Sequence, residues 1–395
     1  MRFHAAFLFI ALLTLCLACH SAQAEPQPST MELVASYGGG KLFMSGPVYV
    51  LELHGSYREM GCQYGFLMRK EMQRLYSIAI ETQYIGNMGY TEARVKEIAQ
   101  SMFALYPQRY KEIIYGMART SRLGLDKQII LNAIEFIPKM PKSVAHCSGI
   151  AVWGEYTSGG PLIFGRNNDD TNFFRAFAPY TTVVVYNAND GSLPVALVNY
   201  AGAIYPPSGM NKAGIFLELN SGNAMGYYAN RLSIFISLFS FLQDFRTMDA
   251  ISSGFYSIRP NLSSIVNAAN THGAFSFECP PDLEAKRRVP DKDGLLAATN
   301  HFVDPSWGIP PPDDKDNAWT VTRRAHLLEQ GEKYKGQFTV PIMKRVLEMT
   351  IDEGGATDPT DTIYQIIAVP RDLTMWIRAP DNYTWQEVNL RRLFD

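Results

Sequence analysis

The stretch CSGIAVWGEYTSGGPLIFGRNNDD, residues 147–170, carries a thiol at one end and a cation with two acids at the other. Only the thiolate of a cysteine is a good nucleophile, and an unperturbed cysteine is mostly protonated at neutral pH. A guanidinium favours the thiolate by its charge, and a carboxylate can hold or orient a proton carrier. Cys147, Arg166 and Asp169 therefore suit nucleophilic chemistry if the chain brings them together. The residues between them do so: Ile150 to Glu155 and Leu162 to Asn167 have strand character, and Tyr156-Thr157-Ser158-Gly159-Gly160-Pro161 suits a hairpin loop. Pairing of the two strands returns Arg166 and Asp169 to the side of Cys147. A surface ion pair is the plainer reading of Arg166 with Asp169.

Two routes to an activated thiol are visible. In the first, a histidine acts as base in a papain-like pair, and His301, just after a strand end, is the candidate. In the second, the His146–Cys147 peptide bond is cut and the freed α-amine of Cys147 becomes the base. An α-amine has an ordinary pKa of about 7.7 to 8.0, near working pH and suited to taking and returning a proton. Asp169 would hold that amine and Arg166 would favour the thiolate.

The rest of the chain must supply a scaffold. With 395 residues, a net charge of −2 and a 47% hydrophobic share, it is long enough for one large domain or two ordinary ones. The near-neutral balance argues against a nucleic-acid partner, which needs uncompensated Lys and Arg. Arg2, the apolar run from Ala5 to Ala18 and Ala22-Gln23-Ala24 read as a signal peptide, residues 1–24, cleaved after Ala24. The chain is thus expected to be exported, to a periplasm or out of the cell. A lipid anchor at Cys19 fits poorly behind Cys16 and Leu17. The remaining cysteines are Cys62, Cys147 and Cys279. An odd count in an oxidising compartment leaves a free thiol, and if Cys62 pairs with Cys279 that thiol is Cys147. No zinc-type cysteine pair follows Cys19, so neither metal nor cofactor is expected.

Coarse patterning divides the chain at the cysteine. Val48 to Leu53 is extended; helical patterns follow from Gly55-Ser56 towards Ile80, over Thr91 to Tyr106 and Gln108 to Arg122, and over Asp126 to Phe136 with Asp126 as N-cap. Pro138 and Pro141 break the chain ahead of Cys147. Strands dominate beyond it: Thr181 to Tyr186, Leu193 to Tyr200, Ile215 to Leu219, Ala274 to Glu278, Gly294 to Thr299, Thr362 to Val369 and Leu373 to Arg378. Helices are expected at Leu232 to Leu242, Ser263 to Asn270, Arg323 to Gln330 and Pro341 to Ile351. The apolar run at Leu232 is about half the length of a membrane span. The sum is an α+β architecture. Asn261-Leu262-Ser263 and Asn382-Tyr383-Thr384 match the N-glycosylation pattern.

These residues resemble a family. Cys147, the hairpin and Gly165-Arg166-Asn167-Asn168-Asp169 are similar to the start of the catalytic chain in N-terminal-nucleophile cysteine amide hydrolases. That family includes choloylglycine hydrolases, penicillin V acylases, acyl-coenzyme A:6-aminopenicillanic acid acyltransferase and acid-ceramidase-like amidases. ELHGSYREMGCQYG and the helix with Asn132 resemble the propeptide of the acyltransferase branch, GMNKAGIFLELN the strand ending in an active-site asparagine, and ATNHF the strand end supplying an oxyanion asparagine. The resemblance implies an αββα four-layer sandwich preceded by a mainly helical propeptide, with self-cleavage between His146 and Cys147. Fragments 25–146 and 147–395 would stay together as one compact unit. It implies Cys147 as nucleophile, Asp169 holding its amine, Arg166 beside the sulfur, and Asn220 and Asn300 at the oxyanion. Arg323 or Arg324 is a further candidate. The implied partner is a small-molecule acyl amide, hydrolysed or passed to another amine; no oligomeric state is implied. A phospholipase-B-like ester hydrolase and a non-enzymatic binding protein of the same fold are the alternatives.

Overall fold

The computed structural model describes residues 31–134, 136–137, 146–315 and 317–395. The expected signal peptide, Pro138 and Pro141 lie outside the described residues. The chain opens with β1 (Glu32–Tyr37), β2 (Gly40–Ser45) and β3 (Val48–Gly55). Then come α1 (Tyr57–Leu67) and α2 (Arg69–Tyr76), a π-helical stretch over Ser77–Asn87, and α3 (Glu92–Ala104), α4 (Gln108–Thr120) and α5 (Leu125–Leu131). After Cys147 follow β4 (Ser148–Val152), β5 (Ile163–Asp169), β6 (Thr181–Ala188), β7 (Val195–Tyr200), β8 (Ser208–Asn211) and β9 (Phe216–Ser221). Next are α6 (Ile234–Asp244), α7 (Met248–Ser257), β10 (Ser264–Ala269), β11 (Ala274–Cys279), β12 (Lys286–Arg288) and β13 (Leu295–Ala298). The last elements are α8 (Thr320–Lys333), α9 (Val340–Glu348), β14 (Thr362–Val369), β15 (Thr374–Ala379) and β16 (Tyr383–Asn389).

Among the described residues the strands form two sheets. One runs β1-β2-β3-β6-β7-β8-β9-β10-β11-β12 and the other β13-β4-β5-β14-β15-β16. Phe164 of β5 meets Phe216 of β9 at 5.2 Å between ring centroids, so these sheets pack face to face. The outer face of the smaller sheet is covered by helices: Ile150, Ile163, Leu295 and Ile367 cluster with Leu327 of α8 and with Met343, Val346 and Leu347 of α9. On the outer face of the larger sheet, Phe255 of α7 stacks on Phe277 of β11 at 4.4 Å, and the Asn211 side chain donates to Leu242 O of α6. Helix, sheet, sheet, helix is the expected αββα order.

Several sequence expectations need correction. Residues 263–270 are not a helix; β10 pairs with both β9 and β11. All six residues of β10 are buried, so the run lacks the alternation that marks a half-exposed strand. The part before Cys147 is mainly helical but also supplies strands that were not all expected: β1 to β3 belong to the large sheet, and β3 pairs in parallel with β6 from Tyr49 opposite Thr182 to Gly55 opposite Ala188. The helix towards Ile80 divides at Met68. Gly124 rather than Asp126 occupies the N-cap of α5, which ends at Leu131; Asp126 sits in its first turn, where a carboxylate favours the helix dipole. The Cys62–Cys279 pairing that the sequence left open is not formed: the thiols of Cys62, Cys147 and Cys279 are free. Asn261 is buried and accepts from Ile234 N, which removes it as a glycosylation acceptor. Among the described residues no helix is long and apolar enough to cross a membrane.

Candidate active site

The β4–β5 hairpin forms as the sequence requires. Ser148 opposes Asn167 and Gly149 opposes Arg166, which sets Cys147, just ahead of β4, beside Asn168 and Asp169. Alternate residues of a strand face opposite sides, and β5 uses this directly. Phe164 and Arg166 point between the sheets, whereas Asn167 points to the outer layer, accepting from Gln365 Nε2, which also donates to Leu347 O. Asp169 shares the outer face and lies 3.5 Å from Arg323 of α8. The cation and the acid thus approach the cysteine from opposite faces of one sheet.

Cys147 is 4% exposed. Its Sγ lies 3.4 Å from Arg166 Nη2 and 3.6 Å from Asp169 O. Arg166 is buried and held through both Nη atoms: Nη2 also donates to Asn168 Oδ1 at 2.8 Å and Leu219 O at 2.9 Å, and Nη1 to Ser208 Oγ at 2.8 Å and to Pro207 O. Glu218 Oε2 of β9 is 3.1 Å from Nη1, an ion-pair contact between two buried charges. Burial works against the Arg166 charge, but the negative charges that Cys147 as thiolate and Glu218 would carry oppose this and raise its pKa. Burial pushes the Cys147 thiol up to about 11, with Arg166 pulling the other way. In the uncut chain the thiol is therefore overwhelmingly protonated at neutral pH and needs a base beside it.

Arg323 gathers the remaining groups. Its Nη1 donates to His146 O and, at 3.2 Å, to Cys147 O; Nη2 donates to Asn300 Oδ1 at 2.7 Å; and Nε donates to Ala318 O at 2.8 Å. The carbonyl of the His146–Cys147 bond thus already lies against a guanidinium. Burial pushes the Asp169 carboxyl up to about 7, against the pull of Arg323. Asp169 O also accepts from His146 N at 3.2 Å.

The two expected asparagines differ. Asn300 is engaged: its N donates to Thr320 Oγ1 and its Nδ2 to Ser221 O at 2.9 Å, while Oδ1 takes Arg323. Asn220 is fully buried and shares with Glu218 the β9 face turned towards β5, yet neither its Oδ1 nor its Nδ2 meets a partner among the described residues. A buried amide left unpaired is costly, and a bound carbonyl would give Asn220 Nδ2 an acceptor. His301 takes no part at the sulfur. Its Nδ1 lies 3.0 Å from Thr320 Oγ1 and 3.4 Å from Thr299 Oγ1. Burial, then the positive field of Arg324, pushes it down to about 4, so it is neutral at physiological pH.

Sequence reasoning missed Glu218 and left Arg323 and Arg324 unresolved. Arg324 is turned to Asp291, whereas Arg323 reaches the backbone carbonyls of His146 and Cys147. An acid at position 218 between Leu217 and Leu219 in a buried strand was the available signal for Glu218. As to metals, the described residues contain one group of suitable side chains, Glu52, His54 and Asp395. There His54 Nε2 lies 3.1 Å from Glu52 and Nδ1 2.7 Å from Asp395, and Lys41 also pairs with Glu52. That group is a salt-bridge cluster outside the Cys147 site.

No family model matches the chain. Protein dcd1B of Dictyostelium discoideum is 25% identical over 193 residues, covering 40% of this chain and 36% of that protein, so the match spans about a third of its length. Among solved structures, an N-acylethanolamine-hydrolyzing acid amidase ortholog from Caenorhabditis elegans is similar at 18% identity and a TM-score of 0.42, over 57% of this chain and 93% of that one. A conjugated bile acid hydrolase from Clostridium perfringens gives 12% and 0.45 over 62% and 93%, and a penicillin V acylase from Agrobacterium tumefaciens 11% and 0.41 over 62% and 87%. The αββα fold stands on strand order and layering.

Proposed function

We propose that the chain is an exported, self-processing cysteine amidase that hydrolyses a linear carboxamide through an acyl-thioester on Cys147. The observation that carries this reading is the placement of Cys147 Sγ against the buried Arg166 while Arg323 donates to His146 O. In self-cleavage the Cys147 sulfur attacks the His146 carbonyl carbon, the C–N bond breaks, and the Cys147 nitrogen leaves with the thiol proton. Arg323 stabilises the negative charge gathering on His146 O, the kind of contribution worth about 3 to 4 kcal/mol from one well-placed donor. Water then hydrolyses the thioester, leaving a carboxylate on His146 and a free α-amine on Cys147. In turnover that amine takes the thiol proton as Sγ attacks the substrate carbonyl and delivers it to the departing nitrogen. Asn220 offers its unpaired amide to the oxyanion, Asn300 is held beside the site by Arg323, and Asp169 orients the amine. Transfer to an amine in place of water would make the same site an acyltransferase; rates on matched acyl amides and acyl esters separate it from an ester hydrolase.

Mass spectrometry and N-terminal sequencing of the purified protein test this directly. We expect a fragment beginning at Cys147 and, from an exporting host, one beginning at Glu25. Cys147→Ala should leave the 146–147 bond intact and lower hydrolysis of an acyl-amide panel by at least about a thousandfold. An uncut wild-type chain, with Cys147→Ala as active as wild type, would overturn the proposal.

A further inference from the structure

Beside the Asp169–Arg323 pair lies a cavity of about 410 Å³ whose walls include Trp319, Thr322, His326, Asp352 and Asp358. One wall is the segment leading into Arg323, since Arg323 N donates to Trp319 O at 2.7 Å. Another wall leads into the strand partner of Asp169. Thr362 opposes Asp169 in the ladder, and it exchanges hydrogen bonds with Asp358, Thr362 N to Asp358 O and Asp358 N to Thr362 Oγ1. The cavity therefore shares its framework with the catalytic pair.

The lining is chemically one-sided. It carries two carboxylates and an aromatic ring but neither lysine nor arginine. Asp358 is fixed through Oδ1, which accepts from Thr360 N and Thr360 Oγ1. Partial burial opposes its charge, yet these bonds hold it below the ordinary carboxylate value. Trp319 is 43% exposed and stands on left-handed backbone, φ 57°, directly after Ala318 at 49°. Two successive non-glycine residues in that region are strained, and such strain persists where the surroundings enforce it, often at ligand sites. Here Trp319 N donates to Asp314 O, and Arg323 Nε holds Ala318 O. The indole is thereby kept at the cavity wall rather than packed inside.

An aromatic face flanked by carboxylates attracts a weakly hydrated organic cation. A divalent metal wants converging oxygen and nitrogen ligands, and Asp352 and Asp358 form no three-ligand group with His326. The volume falls within the range of small-molecule sites, about 300 to 1,000 Å³. We propose that this cavity is a subsite for an organic ammonium group, borne by the substrate of the amidase. The assignment to a substrate rests on the proposed function; the cation binding does not.

Ligand-observed NMR on the full chain tests it, with choline as probe and 3,3-dimethylbutan-1-ol, its neutral isostere, as control. Choline should bind at least about tenfold more tightly than the isostere, and Trp319→Ala should weaken it by about tenfold or more. Because Trp319 leads into α8, the exposed Asp352→Asn gives a second arm that leaves the backbone alone; there we expect several-fold weaker binding, with less dependence on salt. Equal binding of the two probes, no choline binding, or choline binding unchanged in both variants overturns the proposal. Cys147→Ala should bind choline like wild type, so failure of the amidase reading and failure of this subsite give different results.

Discussion

Asp169 shows how much a single buried acid couples the site to pH. Its ordinary value is 3.8 and burial raises it to about 7. Between those values the folded chain binds more protons at this group than the unfolded chain does. Linkage then makes stability fall as pH rises through that window, by up to about 1.4 kcal/mol per pH unit, with the cost fully present above 7. In the Cys147→Ala background, where the chain should stay uncut, Asp169→Asn is expected to flatten this segment of the stability profile. Urea unfolding of both chains at pH 4.5 and 7.5 checks it, and an identical pH dependence would refute the assignment. Cys147, Arg166 and Asp169 were legible in the sequence because a two-strand hairpin is a local rule: once the strands pair, residue 147 must meet residues 168 and 169. Glu218 offered only its residue type as a signal, and Arg323 could not be told from Arg324. Their approach depends on how β9 stacks over β5 and where α8 docks, neither of which leaves a local pattern.

At the scale of elements, the site depends on β4 and β5 lying close against β9. Gly149 marks the tightest point: a Cβ there would come within 2.6 Å of Glu218 Oε1 and 3.1 Å of the Phe164 ring. Glu218 cannot swing away freely, because Oε1 accepts from Asn267 Nδ2 and Oε2 lies against Arg166. Gly149→Ala should therefore push Glu218 off Arg166, destabilise the fold by about 1 to 3 kcal/mol and slow self-cleavage. Denaturant midpoints and the rate of fragment appearance measure the two effects; a variant with both unchanged would show that the sheets have room to spare. The same stacking explains the misreading of β10. Its neighbours β9 and β11 pair with it on both edges and helices and sheet cover both faces, so SIVNAA shows neither the polar alternation of an exposed strand nor the length of a helix.

For the whole molecule the question is what cleavage at His146–Cys147 would release. A helical appendage would leave once the peptide bond is cut, but β3 pairs in parallel with β6 from Tyr49 to Gly55 and lies inside the large sheet, with Val50, Leu51 and Leu53 fully buried. The far end is tied as well: His54 meets Asp395, and Ser45 Oγ donates to Glu387 O. Exposed ion pairs contribute little, about 0 to 1 kcal/mol each, so the ladder and its apolar faces must hold the fragments. Fully burying each such aliphatic side chain is worth about 1.5 to 3 kcal/mol, and the cut bond removes none of that. The cleaved protein should therefore elute from gel filtration as one particle containing both fragments, and salt at about 1 M, which screens surface ion pairs, should not separate them. Leu51→Asp, which places a charge between β3 and its neighbours, should destabilise this union by several kcal/mol and yield free fragments at denaturant concentrations the wild type withstands. Separation of the wild-type fragments in salt alone would mean that surface charge, not the shared sheet, joins the two parts.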